Sequence, residues 1–181
     1  MQTESGKTVN LEHESKQKFN AGFESNFLVL PDGKTVIGSD SKRLIMEDIQ
    51  TNQVSNIGTQ GNTIYSLLYH KKTRSLLVGV STGHVIQYQK KKDFNTFTKV
   101  KDYGDLGIGS VHSSCLFGEL GIFGGWGKSS IAVICIPEQE LVAGKIITAF
   151  KNVDSLQVCE VSESKVLLSV GGRDPLYSGN T

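Results

Sequence analysis

The chain has 181 residues, and its nineteen basic side chains against eighteen acidic ones leave a net charge of +1. That balance supplies no global field to hold nucleic acid or an anionic membrane, while twenty glycines beside a 38% hydrophobic content point to a globular fold rich in tight turns. No uninterrupted apolar run reaches the roughly 18 residues of a membrane helix, and the opening MQTESGKTVNLEHESKQKFN lacks the apolar core of a signal peptide. The expectation is a soluble, cytoplasmic protein.

Residues 1–25 are polar and carry Lys and Glu; they read as a tail, as a short helix around Glu12 to Phe19, or as the outer strand of a preceding unit. From there onward four segments share one plan: FLVLPDGKTVIGSD (27–40), YSLLYHKKTRSLLVGVSTG (65–83), SSCLFGELGIFGGWGKS (113–129) and LQVCEVSESKVLLSVGGRD (156–174). Each is an apolar strand, a polar turn, a second apolar strand and then glycine. The reference glycines Gly38, Gly79, Gly124 and Gly171 are separated by 41, 45 and 47 residues, the period of a propeller blade. A third apolar strand follows in the first three segments, at Leu44–Met46, Val85–Tyr88 and Ile131–Ile136, and then a more polar fourth around Gln53–Ile57, Phe97–Lys101 and Leu141–Thr148. Runs such as SLLVGV and KVLLSVGG carry their apolar residues consecutively, as strands buried on both faces do. Leu67, Leu76, Val78, Val85, Leu116, Ile122, Val133, Val158 and Leu167 are the core candidates.

The stretch GSDSKRLIMEDIQTNQ (38–53) resembles the WD-repeat family of β-propellers. Asp40 matches that family's turn aspartate, Glu47-Asp48 its signature dipeptide with the tryptophan lost, and Thr51-Asn52 the closing turn; Tyr88-Gln89 and Ile136-Pro137 take the dipeptide position in the next two repeats. The fold this implies is all-β, a partial β-propeller of about three and a half four-stranded antiparallel blades, divided as 26–61, 62–107, 108–152 and an incomplete 153–181. Because the family's buried polar partners are missing, the blades are expected to rely on apolar packing. A closed propeller needs about four to eight blades. The remainder of a longer propeller chain, or a second copy, is therefore expected to complete the ring.

GGWGKSS (124–130) ends like a phosphate loop, but the glycine that such a loop needs five residues before Gly127 is Ile122, and a β-branched strand rather than a helix follows Lys128. The stretch reads as a tight hairpin turn, with Trp126 at its tip either packing on the neighbouring blade or touching a partner. Cys115, Cys135 and Cys159 form no Cys-x-x-Cys pair and read as buried thiols in a reducing compartment. His13, His70, His84 and His112 show no metal spacing, so neither metal nor cofactor is expected. Lys71, Lys72 and Arg74, with Lys90, Lys91 and Lys92, lie in loops of the second repeat, either as a basic patch for an acidic partner or as solvated turns.

The resemblance implies a non-enzymatic scaffold that binds other proteins or peptides. Two alternatives stand beside it: a hydrolase or lyase with its site at the channel, and a truncated copy without independent activity. The enzyme would need polar side chains at the channel ends of the inner strands, where the sequence reads mostly Leu, Val, Ser and Cys.

Overall fold

The computed structural model describes residues 26–59, 61–92, 96–148, 150–162 and 165–173. The N-terminal expectations for residues 1–25 lie outside them. Fourteen strands and no helix occur among the described residues: β1 (Phe27–Val29), β2 (Thr35–Asp40), β3 (Arg43–Asp48), β4 (Gln53–Thr59), β5 (Ile64–His70), β6 (Ser75–Val80), β7 (His84–Lys90), β8 (Phe97–Asp105), β9 (Gly109–Phe117), β10 (Leu120–Gly127), β11 (Ser130–Cys135), β12 (Glu140–Ile147), β13 (Asn152–Ser162) and β14 (Lys165–Arg173).

Every pairing between consecutive strands within a sheet is antiparallel, giving sheets β1–β4, β5–β8 and β9–β12, and a two-stranded β13–β14 that is bridged to β10 through Trp126 and Asn152. The inner strands β1, β5, β9 and β13 lie side by side. This is the architecture of a partial β-propeller, with three four-stranded blades and two strands of a fourth among the described residues. Since each blade is a meander, its first and third turns share one edge of the arc, here the lower. The second turns and the links between blades share the upper edge.

The turn chemistry follows the sequence. Asp32 in PDGK accepts hydrogen bonds from the Lys34 and Thr35 N–H groups and the Thr35 hydroxyl, each at 2.9 Å, while Gly33 takes a φ of 67°. Asp40 accepts from the Arg43 N–H at 3.2 Å, and Asp48 from the N–H groups of Gln50 and Thr51 at 2.9 and 3.0 Å.

Apolar side chains fill the spaces between blades. Leu30, Ile37, Leu44 and Met46 of the first blade pack on Ile64, Leu76, Val78 and Val80 of the second. Leu77 of the same strand β6 turns the other way, to Val111, Phe123, Ala132 and Ile134 of the third. A strand wedged between two neighbours has no solvent face, which is why SLLVGV is apolar at consecutive positions. Ile122, Ile131 and Val153 centre the third cluster, joined by the partly buried Cys115, Val133, Val158 and Val170.

Two of the reference glycines, Gly79 and Gly124, serve this contact between blades. A Cβ at Gly79 would stand 2.5 Å from Val111 Cγ1, and one at Gly124 would stand 2.5 Å from Val153 Cγ1. In both cases the first buried residue of the next inner strand occupies the room a side chain would need. At these two positions the repeat in the sequence is the footprint of one blade on the next.

Four expectations are corrected. Leu116 and Leu167 are 37% and 58% exposed rather than core; Leu167 lies on β14, beside which no further strand lies among the described residues. Cys159 is exposed, and Cys115 and Cys135 are only half-buried, with the Cys135 thiol bonded to the Glu138 carboxylate. GGWG is not a turn: β10 runs through Gly127, and Lys128-Ser129 makes the reversal. Nor does the second blade rely on apolar packing alone. Buried Gln87 donates to Ser75 Oγ at 3.1 Å and accepts from the Tyr103 hydroxyl at 2.6 Å, and Ser75 continues through Thr73 to His70. Glutamine and serine thus supply a buried polar network within the second blade.

Candidate functional site at the channel mouth

Three inner strands break their alternation at one equivalent place. On β5, Ile64 and Ser66 pair with Val80 and Gly79, leaving Tyr65 unpaired. On β9, Val111 and Ser113 pair with Gly125 and Gly124, leaving His112. On β13, Val153 and Ser155 pair with Gly172 and Gly171, leaving Asp154. A bulge of this kind re-aims the extra side chain and bends the strand. Ile64, Val111 and Val153, each fully buried, anchor the bulges. Asn26 precedes the equivalent pair Phe27–Gly38 of the first blade, and its side-chain amide donates to the Tyr65 carbonyl.

The re-aimed side chains meet at the upper edge. The Tyr65 and His112 rings stack at 4.0 Å and 20°, and the His112 and Trp126 rings at 4.0 Å and 11°. The Arg173 guanidinium lies 5.2 Å from the Trp126 ring centroid. Four planar groups from three blades therefore form one stack. Asp154 ties its end, accepting from the Trp126 indole N–H at 2.8 Å and from Arg173 Nε and Nη2 at 2.8 and 3.3 Å.

Local geometry places Trp126 there. A Cβ at Gly125 would fall 1.9 Å from the Ile108 carbonyl oxygen, and one at Gly109 would fall 1.9 Å from the Trp126 carbonyl oxygen. Only glycines allow the third blade's entry segment to lie this close against β10. The Gly127 N–H then donates to Asn152 Oδ1 at 3.0 Å, holding β10 against β13.

Burial pushes the His112 imidazole pKa below its ordinary value, with Arg173 acting in the same direction and Asp154 against it. His112 is therefore neutral at pH 7 and stacks as an uncharged ring. The hydrogen bonds from Arg173, then from Trp126, hold the Asp154 carboxyl below the usual carboxylate range. Beside the stack a concavity of about 310 Å³ is lined by Asn26, Tyr65, Ser66, His112, Ser114 and Asp154, among others. Serine and leucine are frequent in the lining, as expected from the sequence, with Ser66, Leu67, Ser113, Ser114, Ser155 and Leu156; Asn26, Tyr65, His112 and Asp154 add the polar and aromatic groups that the expectation omitted. Ser114 is engaged by the Ser66 hydroxyl at 2.7 Å, and Ser113 donates to the Val153 carbonyl at 3.2 Å.

The basic residues singled out in the sequence lie at the opposite, lower edge. Lys71, Lys72 and Arg74 occupy the β5–β6 turn, Lys90 ends β7, and Lys91 and Lys92 follow it. The fold brings Lys71, Arg74 and Lys90 together but separates them from Trp126. No group of His, Cys, Asp and Glu with metal-binding arrangement occurs among the described residues. Tyr65, His112, Asp154 and Arg173 were not singled out as site residues. The signal for three of them was present as Ile-Tyr-Ser, Val-His-Ser and Val-Asp-Ser, a β-branched anchor, a variable residue and serine near the start of the inner strands β5, β9 and β13.

No protein-family model matches the chain, and no curated protein matches it in sequence. Solved structures do. The β-propeller domain of Cps50 (Swd1) from Myceliophteria thermophila aligns with a TM-score of 0.58 at 14% identity, over 73% of this chain and 46% of that one. Hydrazine synthase from Kuenenia stuttgartiensis aligns with a TM-score of 0.60 at 15% identity, over 82% of this chain and 42% of that one. The chain spans less than half the length of either. At these identities the likeness shows the fold alone: the polypeptide is built as a segment of a β-propeller.

Proposed function

We propose that this chain is a non-enzymatic interaction scaffold whose channel mouth binds a segment of another protein. The observation that carries the reading is the convergence of Tyr65, His112 and Asp154, each re-aimed by an equivalent bulge, upon Trp126 and Arg173. Stacked aromatic rings with an arginine at one end offer rigid contact area at low entropic cost, and Trp, Tyr and Arg are the side chains that dominate binding hot spots. The Swd1 propeller domain supports the reading by fold.

The alternative of a propeller-borne hydrolase or lyase draws on the fold likeness to hydrazine synthase. Binding is favoured by the state of the groups that chemistry would use. The His112 ring is covered on both faces, and the serine hydroxyls beside it bond to Ser66 and Val153 rather than to the imidazole. With its cysteines held as thiols, the protein belongs in the cytoplasm in this reading.

Selection of displayed peptides on the immobilised chain tests the proposal. A class of enriched peptides is expected to bind Trp126→Ala and His112→Ala about 30-fold or more weakly, the scale of a hot-spot loss, and to bind Lys71→Glu unchanged. Indifference of every enriched peptide to both mouth variants, or a failure to enrich any, would contradict it.

A further inference from the structure

A second concavity lies at the lower edge, between the β1–β2 and β5–β6 turns, and the channel mouth makes no use of it. We infer that it is a docking site for an acidic peptide segment of a partner protein, one that carries an apolar residue beside its carboxylates. This goes beyond the mouth reading and does not depend on it.

The cavity measures about 300 Å³, with Leu30, Pro31 and Tyr69 supplying apolar surface and Lys71, Arg74 and Lys90 the charge. Its electrostatics decide the occupant. Asp32, the one carboxylate among the described lining residues, already serves its own turn through the Lys34 and Thr35 N–H groups and lies 3.6 Å from Lys90. Desolvation opposes that ionisation, but these hydrogen bonds and Lys90 together hold the Asp32 carboxyl below its ordinary value. Nearby Lys72 is likewise taken, by Glu119. Lys71 makes no ion pair among the described residues, and neither do Lys91 and Lys92 alongside.

Arg74 is fixed without being neutralised. Its Nη2 donates to the Lys91 carbonyl at 2.8 Å, and its backbone sits at a φ of 56°. Among the described residues, uncompensated positive charge is therefore concentrated around one apolar cleft, in a chain whose net charge is only +1. Carboxylates complement the rim, and an apolar side chain fits the floor. Nucleic acid fits less well, because Tyr69 is the lone aromatic among the described lining residues and gives no row for bases to stack on.

Fluorescence anisotropy with a labelled glutamate-rich peptide carrying one central leucine, and its glutamine counterpart, tests this on the full chain. The acidic peptide is expected to bind saturably, to weaken as salt is raised, and to lose about tenfold in affinity with Lys71→Glu or with Arg74→Asn, which tolerates the left-handed backbone. Lys42→Glu, on the upper edge, is the charge control and should change affinity by less than about twofold. The proposal is overturned by any of four results: no saturable binding, equal binding of the glutamine peptide, equal loss with Lys42→Glu, or full competition by a single-stranded oligonucleotide.

Discussion

Trp126 donates its indole N–H to Asp154 across 2.8 Å, and the two residues belong to neighbouring blades. The bond joins the third blade to the two-stranded fourth at the point where the aromatic stack ends. Replacing Trp126 by Phe keeps a ring against His112 but removes the donor. Denaturant unfolding should show a loss toward the low end of about 0.5–1.5 kcal/mol, since Asp154 is exposed. Combined with Asp154→Asn, the losses should be less than additive.

Gly124 shows how tightly the blades meet. With Val153 Cγ1 and Ser113 Oγ both 2.5 Å from where a Cβ would stand, Gly124→Ala should destabilise by about 1–3 kcal/mol through overpacking. The parallel pair provides the check. Gly79→Ala should be partly relieved by Val111→Ala, because the intruding methyl then occupies vacated space. Strict additivity in thermal or denaturant melts would refute the direct contact.

The depressed pKa of His112 makes a pH prediction whose sign is fixed. The unfolded chain titrates this imidazole near its ordinary 6.5, whereas the folded chain holds it neutral to lower pH. Below 6.5 the unfolded state therefore binds more protons, and stability falls as pH drops toward the folded value. His70, also depressed by burial, adds to the same decline. Thermal melts from pH 7.5 to 5.5 should show a shallower fall for His112→Phe than for the parent. An unchanged slope would mean that His112 does not titrate as described.

The blade plan was legible in the sequence because it rests on glycine, whose absent side chain makes room for Val111 beside Gly79 and Val153 beside Gly124. Consecutive apolar residues in β6 likewise announced a strand with neighbours on both faces. The channel mouth was not legible by alternation, since Tyr65, His112 and Asp154 sit where a bulge breaks it. Trp126 stands out in the sequence for its chemistry, but the glycines around it read as a turn. What places it in a strand is the close approach of Ile108 and Gly109 to β10, a contact between segments that local sequence does not encode. Leu167 misled for a related reason: strand β14 has the composition of a covered strand but lies next to β13 alone among the described residues.

The starts of the inner strands β5 and β9 converge at one mouth. Ser66 of β5 and Ser114 of β9, 48 residues apart, have hydroxyls 2.7 Å from each other and flank the Tyr65–His112 stack. Converting both to cysteine, in a chain whose Cys115, Cys135 and Cys159 are serine, and oxidising under native conditions tests this convergence directly. The account predicts an intramolecular disulfide that bridges the two strands in the monomer and disappears on reduction. Free thiols after oxidation of the folded protein, or bridges formed only between molecules, would contradict it.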